Sequence, residues 1–116
     1  MAIPSGSGSE VLKRATIHAL SDAWSPLITG VANHIYTVLS IIAQNNDSGT
    51  DTANGRVDIS AAGSNQISIF NEVSIVGKAT FVWNDKFVLT GTDILQVYNT
   101  AGNMDWYISY IDQDWT

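Results

Sequence analysis

The sequence predicts an all-β fold: a single antiparallel β-sandwich or jelly-roll-like domain over residues 29–116, led by a flexible, extended N-terminal arm over residues 1–28. Three observations carry this expectation. Runs rich in β-branched and aromatic residues recur about every 8 to 14 residues, with Gly, Asn, Asp and Ser between them, which is the spacing of a sandwich or small barrel. Within several runs apolar and polar residues alternate, as half-buried strands require. The length of 116 residues suits one domain, which buries roughly two-thirds of the surface its extended chain would expose.

Taken in order, Pro4-Ser-Gly-Ser-Gly-Ser9 is conformationally loose and reads as a flexible lead or a strap laid on a partner. Glu10–Leu20 reads as a strand, with Val11, Ala15, Ile17 and Ala19 on one face and Arg14, Thr16 and His18 on the other. A helix there would gain a Glu10–Arg14 pair four residues apart, and is the competing reading. Ser25-Pro26 interrupts the pattern and leaves Leu27-Ile28-Thr29 as a short extended piece. The strongest signal is His34–Gln44, HIYTVLSIIAQ, which reads as a central strand. Ile35, Thr37, Leu39, Ile41 and Ala43 fall on one side and Tyr36, Val38, Ser40 and Ile42 on the other. Both faces are largely apolar, so both are expected to be covered.

Asn45–Gly55, NNDSGTDTANG, is dense in turn-forming residues and reads as a loop too hydrophilic to be buried. Arg56–Ser60 then alternates, with Val57 and Ile59 inward, and Gln66–Phe70 resumes after a turn with Ile67 and Ile69 on one face. Asn71–Gly77 leads to Lys78–Trp83, and Asn84-Asp85 marks a hairpin turn or a bulged bend before Phe87-Val-Leu. Ile94–Tyr98 and Met104–Ile111 close the pattern, the last placing Trp106, Ile108 and Tyr110 opposite Tyr107, Ser109 and Ile111.

Composition narrows function by exclusion. With no cysteine, disulfides and Cys-based metal sites are ruled out. The net charge is −6 and the five basic residues, Lys13, Arg14, Arg56, Lys78 and Lys86, are scattered, which disfavours phosphate-backbone contacts, so no nucleic-acid partner is expected. Charged residues make up 14%, against about 25% in a typical soluble domain, and a charge-poor surface is easily desolvated in an assembly. The first residues lack the basic and apolar segments of an export signal. No apolar run approaches the ~20 residues of a membrane span, and Ala2 replaces the glycine that myristoylation needs, so no membrane partner is expected.

The chemistry of catalysis is thin. There is no Gly-x-Ser-x-Gly elbow, and the only histidines, His18 and His34, lie inside strand-like runs, where they serve as ordinary surface or core residues. No enzyme activity, catalytic residue, cofactor or metal is therefore expected. Asp47, Asp51 and Asn54 offer hard oxygens close together but lack the donor spacing of a calcium loop. Four tryptophans and four tyrosines raise the alternative of a carbohydrate-binding module, with core packing as the competing use for Trp83 and Trp106. Trp24 and Trp115 stand outside the clear strands, as anchors in a partner's pocket or folded back on their own core.

Together the segments MAIPSGSGSEVLKRATIHAL, TGVANHIYTVLSIIAQN, FVWNDKFVLTGTDILQVYN and WYISYIDQDWT resemble short β-sandwich virion proteins of tailed bacteriophages, of the capsid decoration or cement type. The element Gly91-Thr-Asp-Ile-Leu-Gln-Val97 matches the penultimate strand of that pattern. The resemblance implies a non-enzymatic virion protein on the capsid surface, assembled in the host cytoplasm, that binds the major capsid protein or another virion protein. Tail, neck or fibre attachment is the alternative. It implies a closed homo-oligomer, with a trimer as the first expectation. Expected partner contacts are Ile3, Pro4, Leu12, Trp24 and Leu27 in the arm, and Trp115.

Overall fold

The computed structural model describes residues 8–100 and 102–115, so the expected contacts Ile3 and Pro4 lie outside it. The described residues form nine strands: β1 Ser9–Leu20, β2 Ser25–Thr29, β3 His34–Asn45, β4 Asp51–Asp58, β5 Gln66–Ile75, β6 Thr80–Trp83, β7 Phe87–Thr90, β8 Ile94–Asn99 and β9 Met104–Asp114. One turn of 3-10 helix, Ile59–Ala61, follows β4. Every pairing is antiparallel. Sheet A runs β1-β9-β3, with β6 and β7 sharing the far edge of β3, and sheet B runs β2-β8-β4-β5. With β6 and β7 counted as one interrupted strand, this is the eight-strand order of a jelly roll, a double-sheet all-β sandwich.

The bend after Trp83 is the bulged alternative, not a hairpin. β6 and β7 both pair with β3, Trp83 against Ile41 and Phe87 against Val38, so residues 84–86 bow out of an otherwise continuous edge. The central strand itself carries a bulge at the same level. Between Val38 and Ser40 the register with β9 slips by one, which leaves Leu39 extra and swaps the faces of everything after it. Tyr36 and Val38 therefore share the core side with Ile41, Ala43 and Asn45.

The interior lies between the sheets. Val38, Ile41, Leu89, Leu95, Val97, Met104, Trp106 and Ile108 are buried. Phe70 of sheet B meets Phe81, Trp83 and Trp106 of sheet A, at ring separations of 5.3, 5.7 and 6.2 Å. Polar ties cross this core. The Trp106 indole N–H donates to Asn99 Oδ1 at 3.2 Å, and Asn99 Nδ2 donates to the Leu20 carbonyl at 2.7 Å, which joins β9, β8 and the end of β1.

The polar run 45–55 behaves differently from the loop expected. Its second half is β4, a central strand of sheet B in which Asp51, Ala53, Asn54 and Gly55 are buried. Hydrogen bonding resolves the burial cost. Asn54 Oδ1 accepts the Glu72 N–H at 2.8 Å, and Asp51 Oδ1 accepts from the Thr52 N–H at 2.8 Å and the Thr100 hydroxyl at 2.9 Å. Gly55 is needed because Phe70 lies over it: a Cβ there would stand 2.6 Å from the ring. Asn45 closes the other end, with Nδ2 donating to the carbonyls of Gly49 and Ile75 at 2.9 and 3.0 Å and Oδ1 accepting the Asp47 N–H at 3.0 Å.

From Ser9 onward the segment read as an arm is built into the sheets. β1 pairs along its length with β9, and β2 places Leu27 and Ile28 in the core opposite β8.

Candidate docking surface

Alternation fixes which side chains of sheet A point away from the core. On β1 these are Glu10, Leu12, Arg14 and Thr16. They register across β9 with Gln113, Ile111, Ser109 and Tyr107. The same rows continue through Ile35, Thr37, Ser40 and Ile42 of β3 to Thr90 and Val88 of β7 and Val82 of β6. Leu39, released by the bulge, joins them beside Leu12 and Tyr107 around a shallow depression that also touches Lys13, Arg14, Ser40 and Ser109. A second depression lies along Thr16, Ile42, Gln44 and Tyr107.

This outer face is unusual in its chemistry. Leu12 is 71% exposed, Val88 56%, Val82 47% and Tyr107 36%, and the interior of the patch carries a single charge, Arg14. Sheet B covers the opposite side of β3, but among the described residues nothing covers this one. The twin apolar faces of His34–Gln44 called for two covers, and the fold supplies one.

Two paired carboxylates lie toward opposite ends of the sheet. At one end Asp112 is buried and accepts from Lys13 Nζ at 2.8 Å and pairs with His34 Nδ1 at 2.7 Å. Burial pushes the Asp112 carboxyl up, but the hydrogen bonds and charges of Lys13 and His34 outweigh it and hold the group below its ordinary value. His34 also stacks on Tyr36, with ring centroids 5.8 Å apart, and its Nε2 lies 3.5 Å from Asp114. At the other end Asp105 accepts the Ala19 N–H and pairs with His18, each at 2.8 Å; the Ala19 N–H is the main cause of its lowered pKa. Each histidine thus has its own carboxylate. Among the described residues no three His, Asp or Glu side chains gather as a metal site.

The sequence-expected contacts scatter. Leu12 sits in the apolar face, whereas Leu27 is 6% exposed and turned into the core. Trp24 packs on the outer side of sheet B, 5.2 Å from Tyr98, with the Arg56 guanidinium 3.8 Å over its ring. The Tyr98 hydroxyl donates to Asp22, and Arg56 Nε donates to Gln96 Oε1 at 2.8 Å. A ring capped by Arg56 and flanked by Tyr98 is a poor platform for a sugar. Trp115 folds back on Gly8, where a Cβ would stand 2.5 Å from its ring, and its backbone N–H donates to the Asn33 carbonyl at 3.0 Å. Missing from the expected set are Leu39, Ile42, Val82, Val88 and Tyr107. The signal of Leu39, Ile42 and Tyr107 was present in the apolar alternation of both faces of β3 and the strand of β9, but nothing local says which face lacks a cover.

No helix of the described residues is long and apolar enough to cross a membrane. No protein-family description matches the chain, and no curated protein matches its sequence. Solved structures share its fold. A chain in the acid-stable capsid structure of Helicobacter pylori bacteriophage KHP30 is 8% identical at a TM-score of 0.55, with 95% of each chain covered. A chain of the infectious bursal disease virus Gx strain matches at 0.58 and 8% identity over 96% of this chain, which spans about a third, 34%, of that one. A disulfide-linked pilus protein of Bacillus endospore appendages matches at 0.51 and 12% identity, with 100% and 97% covered. At these identities the likeness is one of fold.

Proposed function

We propose that this chain is a non-enzymatic structural protein of a phage virion, a capsid decoration or cement protein that docks onto the major capsid protein and stabilises the shell. The observation that carries the reading is the uncovered, nearly uncharged outer face of sheet A. With strands ~4.8 Å apart and ~3.4 Å per residue, β1 and β3 at 12 residues, β9 at 11 and β6 and β7 at 4 each give a face of roughly 700 Å². That is about the ~800 Å² each partner contributes to a stable protein–protein interface.

The fold shared with a chain of a phage capsid structure, 95% of whose length is covered, supports the reading. So does the acidic balance of −6, which suits the outside of a shell better than its nucleic-acid lumen. A second reading, a subunit of an appendage such as a tail or fibre, is supported by the pilus protein of matching length.

Co-sedimentation with purified particles tests the face. Wild type is expected to pellet with shells, and the variant Val88→Lys with Tyr107→Glu to stay in the supernatant at an unchanged melting temperature. A double variant that pellets as fully as wild type would remove this face from the proposal. A cryo-electron microscopy map of the particle then separates the two readings, by density on capsomers or along the tail.

A further inference from the structure

Of the four sheet edges, that of β1 is the longest without interruption. Ser9–Ile17 pair residue for residue with β9, without a bulge, and from Ser9 to Arg14 every side chain is exposed. The other edges are broken. β2 is five residues long with Pro26 beside a register shift, β5 slips twice opposite Gly55, and β6 and β7 are parted by residues 84–86. On its outer side β1 has no partner among the described strands, so its N–H and C=O groups there are a template for another strand. An inward-pointing lysine ordinarily guards such an edge. Here Lys13 is neutralised by Asp112.

The outward side chains of β1 also carry a pattern. Glu10, Leu12 and Arg14 follow one another on one face, and Arg14 has no acidic partner among the described residues. If two such strands pair antiparallel about an axis through Leu12, Leu12 meets its own copy and each Glu10 meets the other strand's Arg14. Moving the axis one residue destroys the match: centred on Lys13 it sets Leu12 against Arg14 and Glu10 against Thr16, and centred on Val11 it sets Glu10 against Leu12.

We infer that β1 pairs with β1 of a second copy about a two-fold axis through Leu12, so that both copies of sheet A become one continuous sheet. The axis stands perpendicular to the sheet, so the two outer faces remain on one side and the apolar surface doubles. This pairing gives a two-fold in place of the trimer expected from the sequence. It holds independently of what the face docks onto.

The absence of cysteine makes the register testable, since Leu12→Cys introduces the sole thiol. Directly opposed residues lie about 4.5–5.5 Å apart between Cα atoms, within disulfide reach. Arg14→Cys places its two thiols four residues apart along the strands, roughly 14 Å, and beyond reach. Under mild oxidation Leu12→Cys is expected to become a covalent dimer and Arg14→Cys to stay single. In light scattering the wild type should have twice the 12.5 kDa of one chain. Glu10→Arg or Arg14→Glu alone turns two attractive cross-strand pairs repulsive and should weaken the dimer about tenfold, while the double swap restores it. Three results would each overturn the inference: a monomeric or trimeric wild type, a folded double swap that stays weak, or cross-linking of Arg14→Cys as ready as that of Leu12→Cys.

Discussion

Replacing Asn45 by leucine keeps the volume of a fully buried side chain and removes its hydrogen bonding. The Nδ2 group donates to the Gly49 and Ile75 carbonyls at 2.9 and 3.0 Å and leans on the Val76 carbonyl at 3.3 Å, while Oδ1 accepts the Asp47 N–H at 3.0 Å. Three hydrogen bonds' worth of partners are thus stranded where the β3–β4 turn meets the end of β5. At about 1 kcal/mol each, the loss is about 3 kcal/mol. For 116 residues unfolding with ~2.1 cal/mol/K per residue, this lowers the melting temperature by roughly 12 °C. Scanning calorimetry of Asn45→Leu beside wild type is the assay. A fall of less than about 3 °C would mean that water replaces these bonds at little cost, and that Asn45 does not pin the turn.

Gly55→Ala forces a Cβ to within 2.6 Å of Phe70, and urea unfolding should register about 2 kcal/mol of overpacking. Trp24→Ala removes the Arg56 and Tyr98 contacts and is expected to cost about 1–2 kcal/mol in the same assay, with no loss of particle binding. Asp112 has its folded pKa below its ordinary 3.8, so its contribution to stability is present above that value and lost as pH falls through the depressed one. Urea midpoints measured from about pH 6 to about pH 3 should therefore fall less steeply for Asp112→Asn than for wild type; equal slopes would contradict the Lys13–Asp112–His34 arrangement.

Much of the fold was legible because strand chemistry repeats visibly. β3, β8 and β9 announce themselves by β-branched and aromatic residues, and the alternation of β9 groups Trp106 with Ile108 on one side, which the fold turns into the core. The first part of β4 was hidden, since Asp51, Thr52, Asn54 and Gly55 are turn formers by local preference. Tertiary hydrogen bonds and the Phe70 ring reassign them, and neither is visible from neighbouring residues. The bulge at Leu39 is likewise a tertiary event, because it appears only when β3 is laid against β9. β1 was read as part of a flexible, extended arm, since its mostly exposed residues look unattached when the partner strand is about 100 positions away. The docking face was half legible: two apolar sides of β3 were seen, but only the sheet order tells which is left open.

The place of β9 between β1 and β3 bears on how the protein is made. Ser9 pairs with Asp114, and β3 needs the same strand on its other flank. Neither therefore has β9 beside it until that 11-residue strand has left the ribosome. Until then β1 lacks the strand it pairs with, and β3 has only the short β6 and β7 on one flank. Contacts of such long sequence separation form slowly, and this interval is when chains stick to one another. Folding yield should consequently depend more on chaperone supply and temperature during synthesis than the finished domain's stability would suggest.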